Sequence, residues 1–333
     1  MSIEQRLKKA FTPVQQAIGE ERIPGAVLGV VTVQGERAVC ASGHAQMTPV
    51  KRSMHRGIWF DLASLTKVIF TAPRVLSHCV NGRIALDTLL VDVLPDLQQY
   101  NAASWIRQIT FAQCLSHQTA FPAVEPIYTY GTDPVLLRAF VLQRNWKRGP
   151  CVYSDINYIL LGLALERLEG RLIREMALQD GFAFAADPQY SAATELCTWR
   201  GRTLCGEVHD ENCFALQGAG HAGLFGTVDA VLDYALSLLD GGTHEPGAIA
   251  AMRNKVNNCR TYGWEYKHAG WSGGMACSNE SIGHTGFTGT GLWIDFDSGV
   301  AWTLLTNRVH PTRHRHSGIM GLRRQVGELI AQA

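Results

Sequence analysis

The sequence predicts an α/β (α+β) protein: an antiparallel sheet flanked by helices and built from both chain ends, plus a mostly helical region inserted between them. Three observations carry this. β-Branched apolar runs separated by short turn segments occur near both termini. The first and last segments have apolar residues at helical spacing. From about residue 64 to 240, strand-like alternation is scarce and helical patterns dominate.

In order along the chain, Ile3, Leu7, Ala10, Phe11, Val14 and Ile18 mark one face of a helix over residues 3–19. Pro24-Gly25 breaks it. Ala26 to Val33 then reads as a strand, Gln34-Gly35 as a turn, and Arg37 to Ser42 as its hairpin partner. Helical segments follow at Leu65–Val80, Thr110–Ser116, Asp133–Gln143, Ile156–Leu168 and Val228–Leu239. Pro73 falls inside the first of these and predicts a kink there. Gly291 to Phe296 and Val300 to Thr306 flank Asp297-Ser298-Gly299 as a second hairpin, and Ile319 to Ala331 closes the chain as a helix. The basic stretch Thr312-Arg313-His314-Arg315-His316 reads as a solvated loop before it. The expected division is an α/β domain from residues 1–63 and 241–333 and a mostly helical domain from 64–240, with the active site in the cleft between.

Composition excludes several classes. The chain has 333 residues, 46% of them hydrophobic and 18% charged, so it can bury a sizeable core and is not a disordered segment. A formal net charge of +1 supplies no global field toward nucleic acid or an anionic membrane. No stretch reaches the ~18–20 uncharged apolar residues of a membrane span, and the N-terminal charges are scattered rather than arranged as a secretory signal. Nine irregularly spaced cysteines are expected to be reduced thiols in a cytoplasmic protein. Cys205, His209 and Cys213 recur every four residues, but Gly206 argues against a continuous helix and the spacing is not that of a zinc site; no metal is expected. Oligomeric state is left open.

The chemistry begins at Ser64-Leu65-Thr66-Lys67. Three residues apart on a helix, the hydroxyl and the amine share one face. A serine hydroxyl needs a base to become a nucleophile, and a lysine serves only if its pKa is lowered. Tyr153-Ser154-Asp155 opens a later helix, and Gly283-His284-Thr285-Gly286-Phe287 forms a Gly-rich segment beside a strand. Each has an adequate structural explanation alone, as a helix cap or a turn. Their order and wide separation are not easily accidental.

With those three motifs in view, the chain resembles the serine hydrolases related to class C β-lactamases and low-molecular-mass penicillin-binding proteins. Gly82 to Asp87, Ile109-Thr110 with Cys114 to His117, Gly220 to Phe225, and Leu305 to Pro311 extend the resemblance over about residues 20–330. It implies a β-lactamase/transpeptidase-like fold with Ser64 as the acylated nucleophile. Lys67 would accept the serine proton or hold Tyr153 as phenolate, and Tyr153 would pass the proton to the leaving group. A phenol titrates near ~10, so that role needs positive charge nearby. The backbone N–H groups of Ser64 and Phe287 would form the oxyanion hole, and Gly286 and Gly289 would let backbone approach the substrate.

Two departures bear on substrate. His284 stands where β-lactamases carry lysine and is mostly neutral at pH 7. Asp155 replaces an asparagine, has no donor for a substrate carbonyl and repels anions, unless it pairs with Lys67, which would raise that amine and favour Tyr153 as base. The expectation is a cofactor-free serine hydrolase of a neutral small-molecule ester or amide, esterase-like first. The alternatives are a muropeptide amidase, a weak β-lactamase or D,D-peptidase, and, in a different class, a non-hydrolytic binding or sensor module. Thr285 and Gly286 complete the expected substrate-binding set, and Asp210, Glu211 or His221 could line the cleft.

Overall fold

A computed structural model describes residues 2–242 and 244–332. Its N-terminal helix, Ile3–Gly19, starts on a capping box in which Ser2 accepts from the Gln5 N–H and the Gln5 side chain accepts from the Ser2 N–H. It lies with the C-terminal helix, Ile319–Ala331, on the outer face of a seven-stranded sheet. In spatial order the strands are Arg52–Ser53, Arg37–Gln46, Gly25–Thr32, Val300–Thr306, Gly291–Asp295, Ser281–Thr285 and Glu265–Tyr266, and every pairing is antiparallel. The two expected hairpins meet in the middle: Ala26 pairs with Thr306 and Thr32 with Val300.

Period-two alternation decides which face each side chain serves. Ala26, Leu28, Val30, Trp293, Trp302 and Leu304 pack under the two terminal helices. Val27, Val31, Leu292, Ile294, Ala301 and Leu305 point the other way, into a core continuous with the helical region. The Trp293 and Trp302 rings stack at 5.9 Å, and Gly283, directly opposite Trp293, leaves the room that its indole needs. The helix Val228–Leu239, grouped from sequence with the helical middle, packs on the inner face of the sheet, where Val228 and Leu232 lie against Gly29.

The helical region is built around Asp155–Glu169, whose apolar residues face neighbours on nearly all sides. Strands are few there, and Ala193–Cys197 and Arg202–Cys205 form a two-stranded hairpin. The helix that carries Pro73 is irregular just before it. Residues Lys67–Thr71 form a wide π-helical turn, closed by the Ala72 N–H on the Lys67 carbonyl, and an α-helix then runs from Ala72 to Val80. The irregularity lies just N-terminal of Pro73, which has no N–H to close an ordinary helical bond, and begins three residues after Ser64. All nine cysteines are free thiols. Among the described residues no helix is long and apolar enough to cross a membrane.

The C-terminal helix docks backbone to backbone. A Cβ on Gly327 would sit 1.8 Å from the Gly273 carbonyl oxygen and 3.3 Å from the Trp302 ring. Gly327→Ala is therefore expected to cost ~1–3 kcal/mol through overpacking, read as a lower urea midpoint.

Candidate active site

Ser64 is presented by a constrained stretch of chain. Ala63, just before it, has φ of +47°, a left-handed conformation costly for a residue with a Cβ. The buried Asp61 carboxylate holds the bend by accepting from the Ala63 N–H at 2.8 Å and the His209 N–H at 2.6 Å. From the far strand, Thr288 Oγ1 donates to the Asp61 carbonyl (2.8 Å) and Thr290 Oγ1 to the Leu62 carbonyl (3.0 Å). The turn after Ser281–Thr285 is thus stapled to the segment before Ser64. Gly286 is required by this approach, since a Cβ there would lie 2.1 Å from Thr290 Oγ1 and 2.6 Å from the Leu62 carbonyl oxygen. Gly289, at φ +115°, is equally tight against Thr306. Both glycines were expected to admit substrate; the contacts that exclude a side chain are with the protein's own chain.

Lys67 lies one turn on, with no exposed surface. Its Nζ donates to Ser64 Oγ at 2.8 Å and to the His221 carbonyl at 3.1 Å. It also stands 2.8 Å from Asp155 Oδ1 as an ion pair and 5.0 Å from the centre of the Tyr153 ring. Asp155 is the first residue of its helix, and Ser154 caps that helix on the Ile156 N–H. Capping therefore sets Tyr153 and Asp155 on either side of one amine. Burial pulls the Lys67 ammonium down, but the Asp155 carboxylate and the Tyr153 side chain outweigh it and hold the amine above the ordinary lysine range. Lys67 is a cation here. The pairing of Asp155 with Lys67, weighed from sequence, is the arrangement found.

His284 is 3% exposed, its ring centre 5.9 Å from that of Tyr153. Nδ1 lies 3.1 Å from the Thr285 carbonyl, and the buried Nε2 meets no partner. Burial, then repulsion from Arg260 and Lys67, holds it well below the usual histidine range, so it is neutral. Phe287 is half exposed at the cleft mouth. Neither its backbone N–H nor that of Ser64 is spent on an acceptor among the described residues. Ser64, Tyr153, Asp155, His284, Thr285, Gly286 and Phe287 all line one cleft of about 1010 Å³, with Lys67 buried beneath Ser64.

Asp210 and Glu211 line the same cleft. His221 is buried, its Nε2 2.8 Å from Asp210 Oδ1. Side-chain atoms of Asp155, Asp210 and His221 lie within 4.8 Å of one another, but the Lys67 ammonium already supplies a positive charge to Asp155. Cys205, His209 and Cys213 do not converge: Cys205 ends a strand, His209 joins Glu195 at 3.1 Å, and Cys213 is buried against the Ala222 carbonyl.

Four contributors escaped the sequence. His117 stacks on the Tyr153 ring at 4.3 Å. Its Nδ1 accepts from the Ser154 N–H, and burial keeps it well below the usual range. The Arg260 guanidinium lies 5.1 Å from the Tyr153 ring centre. Arg323 is buried and donates to the Gly286 and Thr290 carbonyls at 2.9 and 2.6 Å, clamping the turn that carries Phe287. Its signal was present: Ile319, Arg323, Val326 and Ile330 share one helical face, an arginine in an apolar stripe. Arg313, read as part of a solvated loop, instead binds Glu195 and Glu211 at the cleft edge, because those carboxylates reach it from the hairpin and from the segment after His209.

Two predictions follow from these charges. In Asp155→Asn the Lys67 amine loses the carboxylate that raises it while burial remains. Its titration, followed by ¹³C NMR of labelled lysine, is expected to move to lower pH. His117 and His284 are neutral in the fold but titrate near ~6.5 when unfolded. The stability they contribute is present above that pH and is lost as pH falls below it. The urea midpoint is expected to drop from pH 7 to pH 5, and less steeply in His284→Gln.

Comparison with known proteins agrees in family and fold. The Beta-lactamase family model matches residues 7–325. N-acetylmuramyl-L-alanine amidase of Bacillus subtilis (strain 168) is 27% identical over 92% of this chain and 81% of its own. A putative D-alanyl-D-alanine carboxypeptidase of Escherichia coli (strain K12) is 26% identical over 79% and 71%. Among solved structures, EstCE1, a hydrolase with promiscuous acyltransferase activity, superposes with a TM-score of 0.74 at 22% identity over 98% of this chain and 99% of that one. A class C beta lactamase superposes at 0.76 and 16% identity over 100% and 99%. The sheet with its inserted helices is the fold these structures share, and with a family match over nearly the whole length the chain belongs to the beta-lactamase family of serine hydrolases.

Proposed function

We propose that the protein hydrolyses a small-molecule ester through an acyl-enzyme on Ser64. The observation that carries this reading is the 2.8 Å contact between Ser64 Oγ and a fully buried Lys67 ammonium. Such a cation donates to the hydroxyl and cannot take its proton. Tyr153, flanked by Lys67 and Arg260, is the side chain left to do so. Ser64 Oγ attacks the carbonyl carbon while its proton passes to Tyr153, which acts as the phenolate beside the two cations. The ester C–O bond breaks, and Tyr153 returns the proton to the departing alcohol. Water then attacks the acyl-enzyme, losing its proton to Tyr153, and restores Ser64. The unspent N–H groups of Ser64 and Phe287 receive the carbonyl oxygen in this reading, at ~3–4 kcal/mol for each donor. The ion pair of Asp155 and the neutrality of His284 remove two charges that a substrate would otherwise meet.

An amide substrate is the second reading. It is favoured by the length of the match to the Bacillus subtilis amidase, 92% of this chain. A non-hydrolytic binding module is disfavoured, because burying a lysine against a serine is costly and a binding surface does not require it.

Ser64→Ala is expected to abolish labelling by a fluorophosphonate probe and to lower p-nitrophenyl ester turnover at least ~10³-fold. Unchanged turnover in that variant removes the nucleophile. The same wild-type and variant pair, assayed on muramyl peptides, separates the amide reading from the ester one.

A further inference from the structure

Two further hollows lie outside the cleft and share none of its lining residues. Both open on one face of the helical stretch that starts at Lys67. Ile69, Pro73 and Ser77, and beside them Phe70, Arg74 and His78, recur every four residues, the spacing of one helical face. The first hollow, about 210 Å³, is walled by Ile69, Phe70, Pro73, Leu178, Phe182 and Leu224. Its neighbours Ser77, Gln179 and His244 are polar but bring no charge, since burial holds His244 below the usual histidine range. The second, about 400 Å³, is lined mainly by Arg74, His78, Arg83, Glu169 and Arg171. Arg74 and Ser77 border both.

Charge in the second hollow is one-sided. Glu169, the one carboxylate in its lining, is taken by Arg74 through both oxygens at 3.0 Å and by His78 Nε2 at 3.4 Å. Arg74 also donates to the Ala177 carbonyl and lies 5.0 Å from the Phe70 ring centre, so it is fixed between the two hollows. The side chains of Arg83 and Arg171 are exposed and make neither a hydrogen bond nor an ion pair among the described residues. Each follows a helix C-terminus, that of Ala72–Val80 and that of Asp155–Glu169. The roughly half unit of negative charge at such an end leaves much of each guanidinium unmatched.

An apolar hollow beside unmatched guanidiniums suits a ligand with an anionic head on an apolar chain. Phe70 and His78 are eight residues apart, about 12 Å along a helix, which a chain of about ten carbons spans. We propose that this face binds a free, single-chain carboxylate amphiphile, its head on Arg83 and Arg171 and its chain over Pro73, Leu178 and Phe182. Ile69 and Phe70 belong to the π-helical turn that begins at Lys67, so the occupant touches the turn that places the buried ammonium. The site is separate from the acyl-enzyme reading and stands or falls without it.

The test is titration calorimetry on the whole protein. Monomeric decanoate is expected to show one saturable site tighter than ~1 mM. Octanoate should bind ~5–10-fold more weakly, having two fewer methylenes to bury. Octanol should bind ~10-fold more weakly than octanoate, and acetate should show no saturation over the same range. The double variant Arg83→Gln, Arg171→Gln should keep the wild-type urea midpoint, since both side chains are exposed, and should lose ~10-fold or more in decanoate affinity. Leu178→Asp, which puts a carboxylate beside the chain, should weaken decanoate as well. No saturable site, octanol equal to octanoate, decanoate no tighter than octanoate, or an affinity that the double variant leaves intact would each overturn the proposal. Binding to phosphatidylglycerol vesicles without binding to monomeric decanoate would overturn it in favour of a membrane surface.

Discussion

The site depends on burying one ammonium. Taking the Lys67 charge out of water costs several kcal/mol unless other groups replace its hydration. Here three segments do so: Ser64 from its own turn, Asp155 from the start of the long central helix, and the His221 carbonyl from the loop between the hairpin and the sheet. None of them can move independently without leaving the charge unmatched. A single compensated cation thus registers residues 64, 155 and 221 against one another. Under the proposed function, the position of Ser64 inherits that precision.

A second set of contacts aligns the sheet with this centre. The turn after Ser281–Thr285 is held from one side by Thr288 and Thr290 on the carbonyls before Ser64, and from the other by Arg323 on its own carbonyls. A neutral His284 fits such a place. An added charge there would face Lys67, Arg260 and Arg323 at close range. The same logic lets His117 pack against Tyr153 as an uncharged ring. Lys67, Arg260, Arg313 and Arg323 each meet carboxylates or carbonyls, and histidines fill the gaps between without adding charge.

Much of this was legible in the sequence. Continuous β-branched apolar runs at both ends marked the central strands, which are buried on both faces, and helical spacing marked the terminal helices, each of which buries a single face. Ser64, Lys67 and Tyr153 were legible through their motifs. What escaped was long-range. Arg260 and His117 act through Tyr153, and nothing in their local spacing says which ring they will meet. Arg313 stands in a segment that reads as a solvated loop, although carboxylates from distant elements neutralise its charge. The π-helical turn was hidden for another reason. Pro73 announces a defect, but whether the helix bends after it or widens before it depends on packing around Lys67. Val228–Leu239 has a plain helical pattern, and no periodicity tells it that the sheet is its partner.

The strand Gly25–Thr32 pairs on one side with Arg37–Gln46, its near neighbour in the chain, and on the other with Val300–Thr306. During synthesis the first hairpin emerges early, yet its second edge waits for almost the whole polypeptide. Arg323, which clamps the turn beside Ser64, emerges later still. The helical segments can collapse locally while the sheet remains open, so closure is a late and non-local event of high contact order. A nascent chain stalled short of its last strands would carry the serine, the lysine and the tyrosine without the scaffold that brings a carbonyl to them. Such timing leaves the Ser64 turn unsupported until the strands after residue 280 arrive.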